Sequence, residues 1–378
     1  MRLLSFSFLL SSVASFTPNF IHQGAWVGSS LESTPLFYKG KLYMMQSQMG
    51  DFAPDGYAHS FFCIFDGVTG EKLTCPNSSS GHAFCSAIVD NTPGRNETAW
   101  VFCSAWDRAN STSCEHPGWG CGACANPAGG CYVGTWSCSG NTLTDADCGP
   151  WSFTQALTLP GTVTVPNVGV GLVPRASSPP NLPVHQAFMA LETSYGIAVN
   201  VGNDDGNLAQ NWILLDPQVY GVSGVGNSGL CPFARFNPAD SYYYVAGGGR
   251  HINLGRSKNL TFGSWEAPPA GAAIEVGCTE LAEDCSPTSP VARIADGFYT
   301  NYWANGSDRN ARDFLQNLTA WDWSVNDADV EDNGTHTFFL YGQCAQTAPK
   351  NFTGRPGYFY QVGIFEGTTL EWLASYFN

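Results

Sequence analysis

One short unit recurs five times along the 378-residue chain and limits its possible folds more than any other feature. At its first occurrence, in ESTPLFYKGKLYMM, two apolar segments flank the turn Lys39-Gly40. Two period-two strands joined by a two-residue loop that ends in glycine predict a β-hairpin. Similar units begin near Ser33, Ser86, Gln186, Cys231 and Asp327.

A second pair of strands follows several of these hairpins. FFCIFDGVTGEKL and YFYQVGIFEGTTLEWL each contain a strand, a Gly-Thr turn and a closing strand, and HINLGRSKNLTFGSWEAP repeats the pattern with Leu260 and Trp265 as its apolar pair. Four antiparallel strands in about 45 residues match a propeller blade. We therefore predict an all-β fold, a five-bladed β-propeller of four-stranded antiparallel blades that forms a single domain over residues 16–378.

The main alternative is a two-sheet sandwich or jelly roll, which also contains many short strands. It does not predict five similar hairpins. Charged residues make up only 12% of the chain and aromatic residues 13%, which disfavours long amphipathic helices. The net charge of −15 argues against a nucleic-acid partner, because binding there depends on Lys and Arg that neutralise phosphates.

Residues 1–15 have the pattern of a secretory signal peptide. Arg2 precedes the apolar run 3–10, and small residues lead to an expected cleavage after Ser15. This run is too short to cross a bilayer, and no later run reaches about 18 apolar residues. We therefore expect a secreted protein without a membrane span, with an N-terminal strand as the alternative for this segment.

The cysteines and glycosylation motifs fit the same compartment. Six of the fourteen cysteines lie in a Gly-rich segment, which we predict to be an insertion over about residues 108–150. Its CxxC, Cys121 and Cys124, could also belong to a zinc site, but an oxidising compartment favours disulfides. A second insertion, a loop, is expected over about residues 278–323. A glycoprotein is indicated by sequons at Asn77, Asn96, Asn110, Asn259, Asn305, Asn317, Asn333 and Asn351.

A propeller would bring distant carboxylates together. The first strand of each blade lines a central channel, so the residues just before these strands meet at one mouth. Glu32, Asp327 and Asp329 are the acidic residues at such positions. Asp327 and Asp329 are spaced to share a strand face, and their mutual repulsion would raise one pKa. Alternatively, Asp327 is an exposed loop residue and Asp329 bonds the channel backbone.

The chain resembles the superfamily of five-bladed propeller glycosidases that includes arabinanases, β-xylosidases and invertases. The resemblance covers about residues 31–377 and depends on ESTPLFYKGKLYMM, RSKNLTFGSW and CPFARFNPADSYYYVAG. It implies hydrolysis of glycosidic bonds by paired carboxylates, one that attacks or activates water and one that protonates the leaving oxygen.

Three positions depart from the family's pattern. Thr34, rather than Asp, precedes the proline that opens blade one, and His185-Gln186 stands where an Asp often opens blade three. Leu230 occupies the place of the proton-donating Glu. Leucine cannot protonate a glycosidic oxygen, and general acid catalysis is worth roughly 10²–10⁴-fold. Either the acid has moved or hydrolysis is lost.

We expect the catalytic set to be Glu32, Asp327 and Asp329. Other polar and aromatic residues at the predicted mouth are candidates for binding the sugar: Trp106, Asp107, His185, Gln186, Arg250 and His251. An indole can stack on a sugar ring, although tryptophan is also common in propeller cores. Arg250 and His251 follow three glycines and could instead belong to a bulged loop.

No cofactor is expected. A structural calcium ion in the channel would suit the carboxylates, but residues 327–334 do not form a calcium loop because Gly334 falls at the wrong step. The sequence thus predicts a secreted, glycoside hydrolase-like propeller that acts on a carbohydrate or polysaccharide. The alternative is a catalytically inactive propeller that binds carbohydrate or a cell-surface partner.

Overall fold

The computed structural model describes residues 20–26, 30–48, 61–79, 81–105, 123–124, 131–159, 163–164, 167–191, 196–220, 232–247, 253–266, 323–345 and 358–377. The predicted signal peptide and nearly all of the predicted second insertion lie outside these residues.

Within them the chain forms mainly β-strands. The strands are β1 (Phe20–Trp26), β2 (Ser30–Tyr38), β3 (Lys41–Gln48), β4 (Phe61–Asp66), β5 (Lys72–Thr74), β6 (His82–Asp90), β7 (Thr98–Ala105), β8 (Ala123–Cys124), β9 (Cys131–Cys138), β10 (Ser152–Leu159), β11 (Val163–Thr164), β12 (Val168–Leu172), β13 (Ala187–Leu191), β14 (Gly196–Asn200), β15 (Trp212–Leu214), β16 (Phe233–Asn237), β17 (Tyr242–Gly247), β18 (Asn253–Ser257), β19 (Trp323–Asp332), β20 (His336–Ala345) and β21 (Tyr358–Glu366). The short α-helices are α1 (Asp145–Cys148), α2 (Pro217–Tyr220) and α3 (Thr369–Ser375).

The strands form antiparallel sheets of blade size. Four sheets have four strands each: sheet I (β2-β3-β4-β5), sheet II (β6-β7-β9-β10), sheet III (β12-β13-β14-β15) and sheet V (β19-β20-β21-β1). Sheet IV (β16-β17-β18) has three, and its outer edge is extended by a paired backbone bridge between Arg256 and Glu266. The predicted all-β class with four-stranded antiparallel blades is confirmed for sheets I, II, III and V.

The first strands of the sheets contact one another in a cyclic order. β2 lies against β6, β6 against β12, β12 against β16, β16 against β19, and β19 against β2. This is the arrangement of a propeller, in which the first strands surround an axis. The end of the propeller at which these first strands begin is called the mouth. The opposite end, which carries the turns between first and second strands, is called the turn face.

The recurring hairpins are present. The first joins β2 to β3 through Lys39 and Gly40, whose φ angles of 47° and 76° are both in the left-handed region. Two left-handed residues make the turn that matches the twist of paired strands. The predicted hairpins β6–β7, β16–β17 and β19–β20 also pair first with second strands.

Sheet III differs from the prediction. Its first strand is β12, and the hairpin predicted to open it supplies the second and third strands. The sequence VGVGL was missed because glycine is a weak signal for a strand. The glycines allow a close approach to β16: a Cβ at Gly169 would lie 2.0 Å from the oxygen of Pro232, and one at Gly171 would lie 2.8 Å from that of Ala234.

The closing strand of sheet V was also assigned wrongly. The segment after β21 is helix α3, because Thr368 and Glu371 form a capping box. The fourth strand is instead β1, whose residues pair with β21 from near the start of the chain. An N-terminal strand therefore completes the last sheet.

Sheet II includes part of the range predicted as an insertion. Strand β9 starts at Cys131 and is the third strand of the sheet, while β8 pairs separately with β11. Disulfides join Cys63 to Cys75, Cys85 to Cys103, and Cys138 to Cys148. For this last pair, disulfide bonding is confirmed, and the described residues contain no group of three or more His, Cys, Asp or Glu side chains that could hold a metal.

The hydrophobic core lies between neighbouring sheets. One cluster joins sheets I and II, a second joins sheets II and III, and a third joins sheets III and IV. Fully buried members include Met45, Val101, Phe102, Met189, Phe188 and Tyr243. Burying one such apolar side chain contributes roughly 1.5–3 kcal/mol, so these interfaces stabilise the order of the sheets.

Candidate functional site

The polar centre of the described structure is Asp329, on the first strand of sheet V. Its carboxylate is almost fully buried. Oδ2 accepts hydrogen bonds from Thr34 Oγ1 at 2.8 Å and Ser86 Oγ at 3.3 Å. These hydroxyls belong to the first strands of sheets I and II, so one carboxylate joins three sheets.

Arg235, on the first strand of sheet IV, contributes the positive charge. Its Nη2 lies 3.5 Å from Asp329 Oδ1 and 3.4 Å from Glu331 Oε2. Its Nη1 donates to the main-chain oxygens of Ala234 at 2.8 Å and Val170 at 3.4 Å. Since Val170 lies on β12, this network connects the first strands of all five sheets.

A local irregularity in β19 determines which acids share a face. The register with β20 shifts between Asn326 and Asp329, which marks a β-bulge. Asp327 lies within this irregular part of the strand, and its side chain is outside the described part of the structure. Beyond the bulge the alternation is regular, so Asp329 shares its strand face with Glu331. Sequence reasoning missed Glu331, although its i, i+2 spacing from Asp329 was a usable signal.

The environment of Glu331 changes its acidity. Burial raises its pKa to about 8, and the nearby carboxylates Asp332 and Asp329 act in the same direction while Arg235 opposes them. The side chain is therefore mainly protonated at neutral pH. A carboxyl group protonated at neutral pH beside a carboxylate in an ion pair is a combination suited to proton transfer.

The other predicted catalytic acids lie on strands that contact each other. Glu32 is on β2, where its main chain pairs with Ser47, and Asp327 is on the bulged part of β19. Contact between β2 and β19 therefore brings these two chain segments together. Their side chains lie outside the described part of the structure, as do all of Trp106, Asp107, Leu230, Arg250 and His251.

His185 and Gln186 are far from the mouth. They precede β13, whose first residue pairs with the last residue of β12, so the prediction that they open a first strand was wrong. His185 is fully buried, with Nδ1 2.7 Å from the oxygen of Pro183 and Nε2 3.0 Å from the hydroxyl of Tyr243. Gln186 Nε2 donates to Asn200 Oδ1 at 2.9 Å. The contact with Tyr243 connects the segment before β13 to sheet IV, whereas the bond from Gln186 to Asn200 lies within sheet III.

Comparisons with known proteins gave structural likenesses only. No protein-family model and no curated protein matches the sequence. The chain is similar to a GH43 protein, BlXynB, from Bacillus licheniformis, with a TM-score of 0.47 and 13% identity over 91% of this chain and 54% of that one. It thus spans about half the length of that protein.

Two arabinanase structures are also similar. An α-L-arabinanase mutant from Cellvibrio cellulosa has a TM-score of 0.44 and 10% identity over 93% of this chain and 99% of that one. A GH43 endo-arabinanase from Bacillus licheniformis has a TM-score of 0.42 and 10% identity, with 91% and 96% covered.

Proposed function

We propose that the protein is a secreted, five-bladed, glycoside hydrolase-like propeller that acts on the O-glycosidic bonds of a glycan through carboxylates in its channel. Sheet IV is proposed as the fifth blade, and the backbone bridge between Arg256 and Glu266 beyond its third strand supports this proposal. Secretion is supported by the three disulfides and by the signal-like residues 1–15. None of the helices in the described ranges has the length and apolar character needed to cross a membrane.

One observation carries the proposal: the buried carboxylate of Asp329, on β19, is hydrogen-bonded to hydroxyls on β2 and β6, which lie far away in the sequence. Thr34 and Ser86 are 295 and 243 residues away from Asp329. Hydroxyl donors and the Arg235 guanidinium fix the orientation of this carboxylate. A fixed charge at the channel axis is what a site needs to stabilise positive charge that develops on a sugar ring.

Hydrolysis requires one carboxylate that activates water or attacks the anomeric carbon, and a second carboxyl group that protonates the leaving oxygen. We assign these two roles to Glu32 and Asp327, which lie on contacting strands. A charged Asp329 near either carboxyl is proposed to favour its protonated form, because like charges oppose ionisation. Trp106, Asp107, Arg250 and His251 are proposed to bind the sugar from the loops.

A second candidate function is carbohydrate binding without catalysis. It is favoured by Leu230 at the family's proton-donor position and by the ion pair that engages Asp329. In this case the same mouth would bind a glycan, and the acids would accept hydrogen bonds from sugar hydroxyls.

A substrate screen separates the two candidates. The purified protein and its Asp327→Asn and Glu32→Gln variants are assayed on furanosides, pyranosides and polysaccharides, with glycan-array binding measured in parallel. Hydrolysis that each variant lowers at least roughly 100-fold supports the enzyme, since removing an acid–base group costs that much. Glycan binding with no turnover of any substrate would reject hydrolysis in favour of the second candidate.

A further inference from the structure

We infer that N-linked glycans are carried by Asn96 and Asn333, and that they project from the turn face, opposite the mouth. Asn96 lies between β6 and β7, and Asn333 lies between β19 and β20. Both connections follow first strands, which begin at the mouth, so both lie at the opposite end. The inference rests on the proposed secretion.

The hairpin turns of neighbouring sheets lie close together on this face. The main-chain nitrogen of Lys39, in the turn of sheet I, donates to Glu97 Oε1, in the turn of sheet II, at 2.6 Å. Glu97 is the middle residue of the sequon Asn96-Glu97-Thr98. This bond holds the middle of the sequon against sheet I, and Asn96 itself is exposed.

The turn of sheet V orients Asn333 for modification. Its Oδ1 accepts hydrogen bonds from the main-chain nitrogens of Thr335 at 3.0 Å and His336 at 2.8 Å, and from Thr335 Oγ1 at 2.9 Å. The carbonyl side of the amide therefore faces the turn. Because Nδ2 lies on the other side of a planar amide, it points away from these donors, and the residue is exposed.

Another sequon on described residues provides a contrast. Asn259 is only partly exposed and is followed by Leu260, which is fully buried. Asn181 Nδ2 donates to the main-chain oxygen of Asn259 at 3.1 Å, so this sequon packs against the segment that precedes β13. Asn77 is exposed but lies after β5, at the outer edge of sheet I, and therefore does not belong to the turns between first and second strands.

The modification itself uses a lipid diphosphate-linked oligosaccharide supplied by the secretory pathway. The asparagine Nδ2 forms a bond to the anomeric carbon of the first N-acetylglucosamine and loses one proton. The bond between that carbon and the diphosphate oxygen breaks, and the lipid diphosphate leaves. No oxidation or reduction occurs.

Glycans on sheets II and V would stand on both sides of the sheet I turn. Bulky, hydrated chains there would hinder a protein partner from docking on this part of the turn face. A carbohydrate ligand would then reach the channel from the mouth. Removal of these glycans should leave ligand binding unchanged.

The test is glycopeptide mapping of the full chain secreted from insect or yeast cells. We expect oligosaccharide at Asn96 and Asn333. Thr98→Val and Thr335→Val should each remove one glycan and its mass, whereas the matched Thr98→Ser and Thr335→Ser variants keep the sequon and should keep the glycan. The four variants separate loss of the motif from loss of folding.

Three contrary results have different consequences. Secreted protein with glycans only at other sequons would overturn this inference and leave the proposed function intact. Protein that is retained in the cell and carries no glycan would contradict secretion, and with it both proposals. Unchanged binding to the glycan-array ligand after endoglycosidase treatment would support the predicted separation of the two faces, and loss of binding would contradict it.

Discussion

Asp329 Oδ1 lies 3.5 Å from Arg235 Nη2, and this ion pair joins the first strands of sheets V and IV. Both side chains are largely buried, with 8% and 12% of their surfaces exposed. Breaking a buried pair by removing one partner leaves a charge without compensation. The pair therefore provides a direct way to test the network at the centre of the fold.

Replacement of Arg235 by Met should lower the free energy of unfolding by about 3–5 kcal/mol, because Asp329 would remain buried without its counter-charge. Arg235→Lys should lose less, since the charge is kept but the forked geometry is not. Urea denaturation followed by fluorescence measures both. The control is Glu266→Gln, which affects a half-exposed ion pair and should change stability by less than about 1 kcal/mol. Equal effects for the Met variant and this control would contradict a central role for Arg235.

The acidity of Glu331 predicts a pH dependence. In the unfolded chain it releases its proton near 4.5, whereas in the folded protein its pKa is about 8. Between these values the folded state holds a proton that the unfolded state has lost, so stability should fall as pH rises, by at most about 1.4 kcal/mol per pH unit. Above pH 8 this loss levels off.

Glu331→Gln provides the comparison for this effect. The variant cannot titrate at this position, so the difference in stability between wild type and variant should change steadily from pH 5 to pH 8. Chemical denaturation at several pH values measures it. Parallel curves for the two proteins would show that Glu331 titrates normally.

His185 predicts the opposite trend on the acidic side. Burial lowers its pKa below the ordinary value of 6.5, so below that pH the unfolded chain binds a proton that the folded protein does not. Stability should therefore fall on acidification through this range. His185→Gln should remove this contribution, seen as a smaller decrease in melting temperature between pH 7 and pH 5. A variant with an unchanged pH profile would contradict the assignment.

The close approach of β12 to β16 predicts that Gly169 cannot be replaced without cost. An added Cβ would overlap the main-chain oxygen of Pro232, so the two strands would have to separate. Gly169→Ala should destabilise the protein by about 1–3 kcal/mol, as overpacking does elsewhere. Denaturation midpoints measure the change. A neutral substitution would mean that β12 is not held against β16.

These residues also show how far the sequence could predict the structure. Local patterns such as Lys39-Gly40 were sufficient for the hairpins, because turn chemistry and strand alternation act over a few residues. The pairing of β1 with β21 was missed because nothing near Phe20 indicates a partner more than three hundred residues away. β12 was missed because glycine is a weak strand signal, and the reason for its glycines is a close contact with another sheet that the sequence does not show.

In the candidate site, too, some contacts could be predicted from the sequence and others could not. A ring predicted that Asp329 would meet residues near Thr34 and Ser86, and the hydrogen bonds confirm that these segments meet. Arg235 as their common counter-charge was not predicted, since its role depends on which side chains reach the axis. The bulge before Asp329 leaves no clear mark in the sequence, and the position of Glu331 on the same strand face as Asp329 was therefore not predicted.

A double-mutant cycle between Thr34 and Asp329 tests most directly whether the two ends of the chain share one channel. Their side chains are 2.8 Å apart although 295 residues separate them in sequence. Thr34→Val, Asp329→Asn and the double variant are compared by urea denaturation. We predict a coupling of about 0.5–3 kcal/mol, as found for residues in contact. Additive effects, with no coupling beyond experimental error, would contradict the convergence on which the proposed site depends.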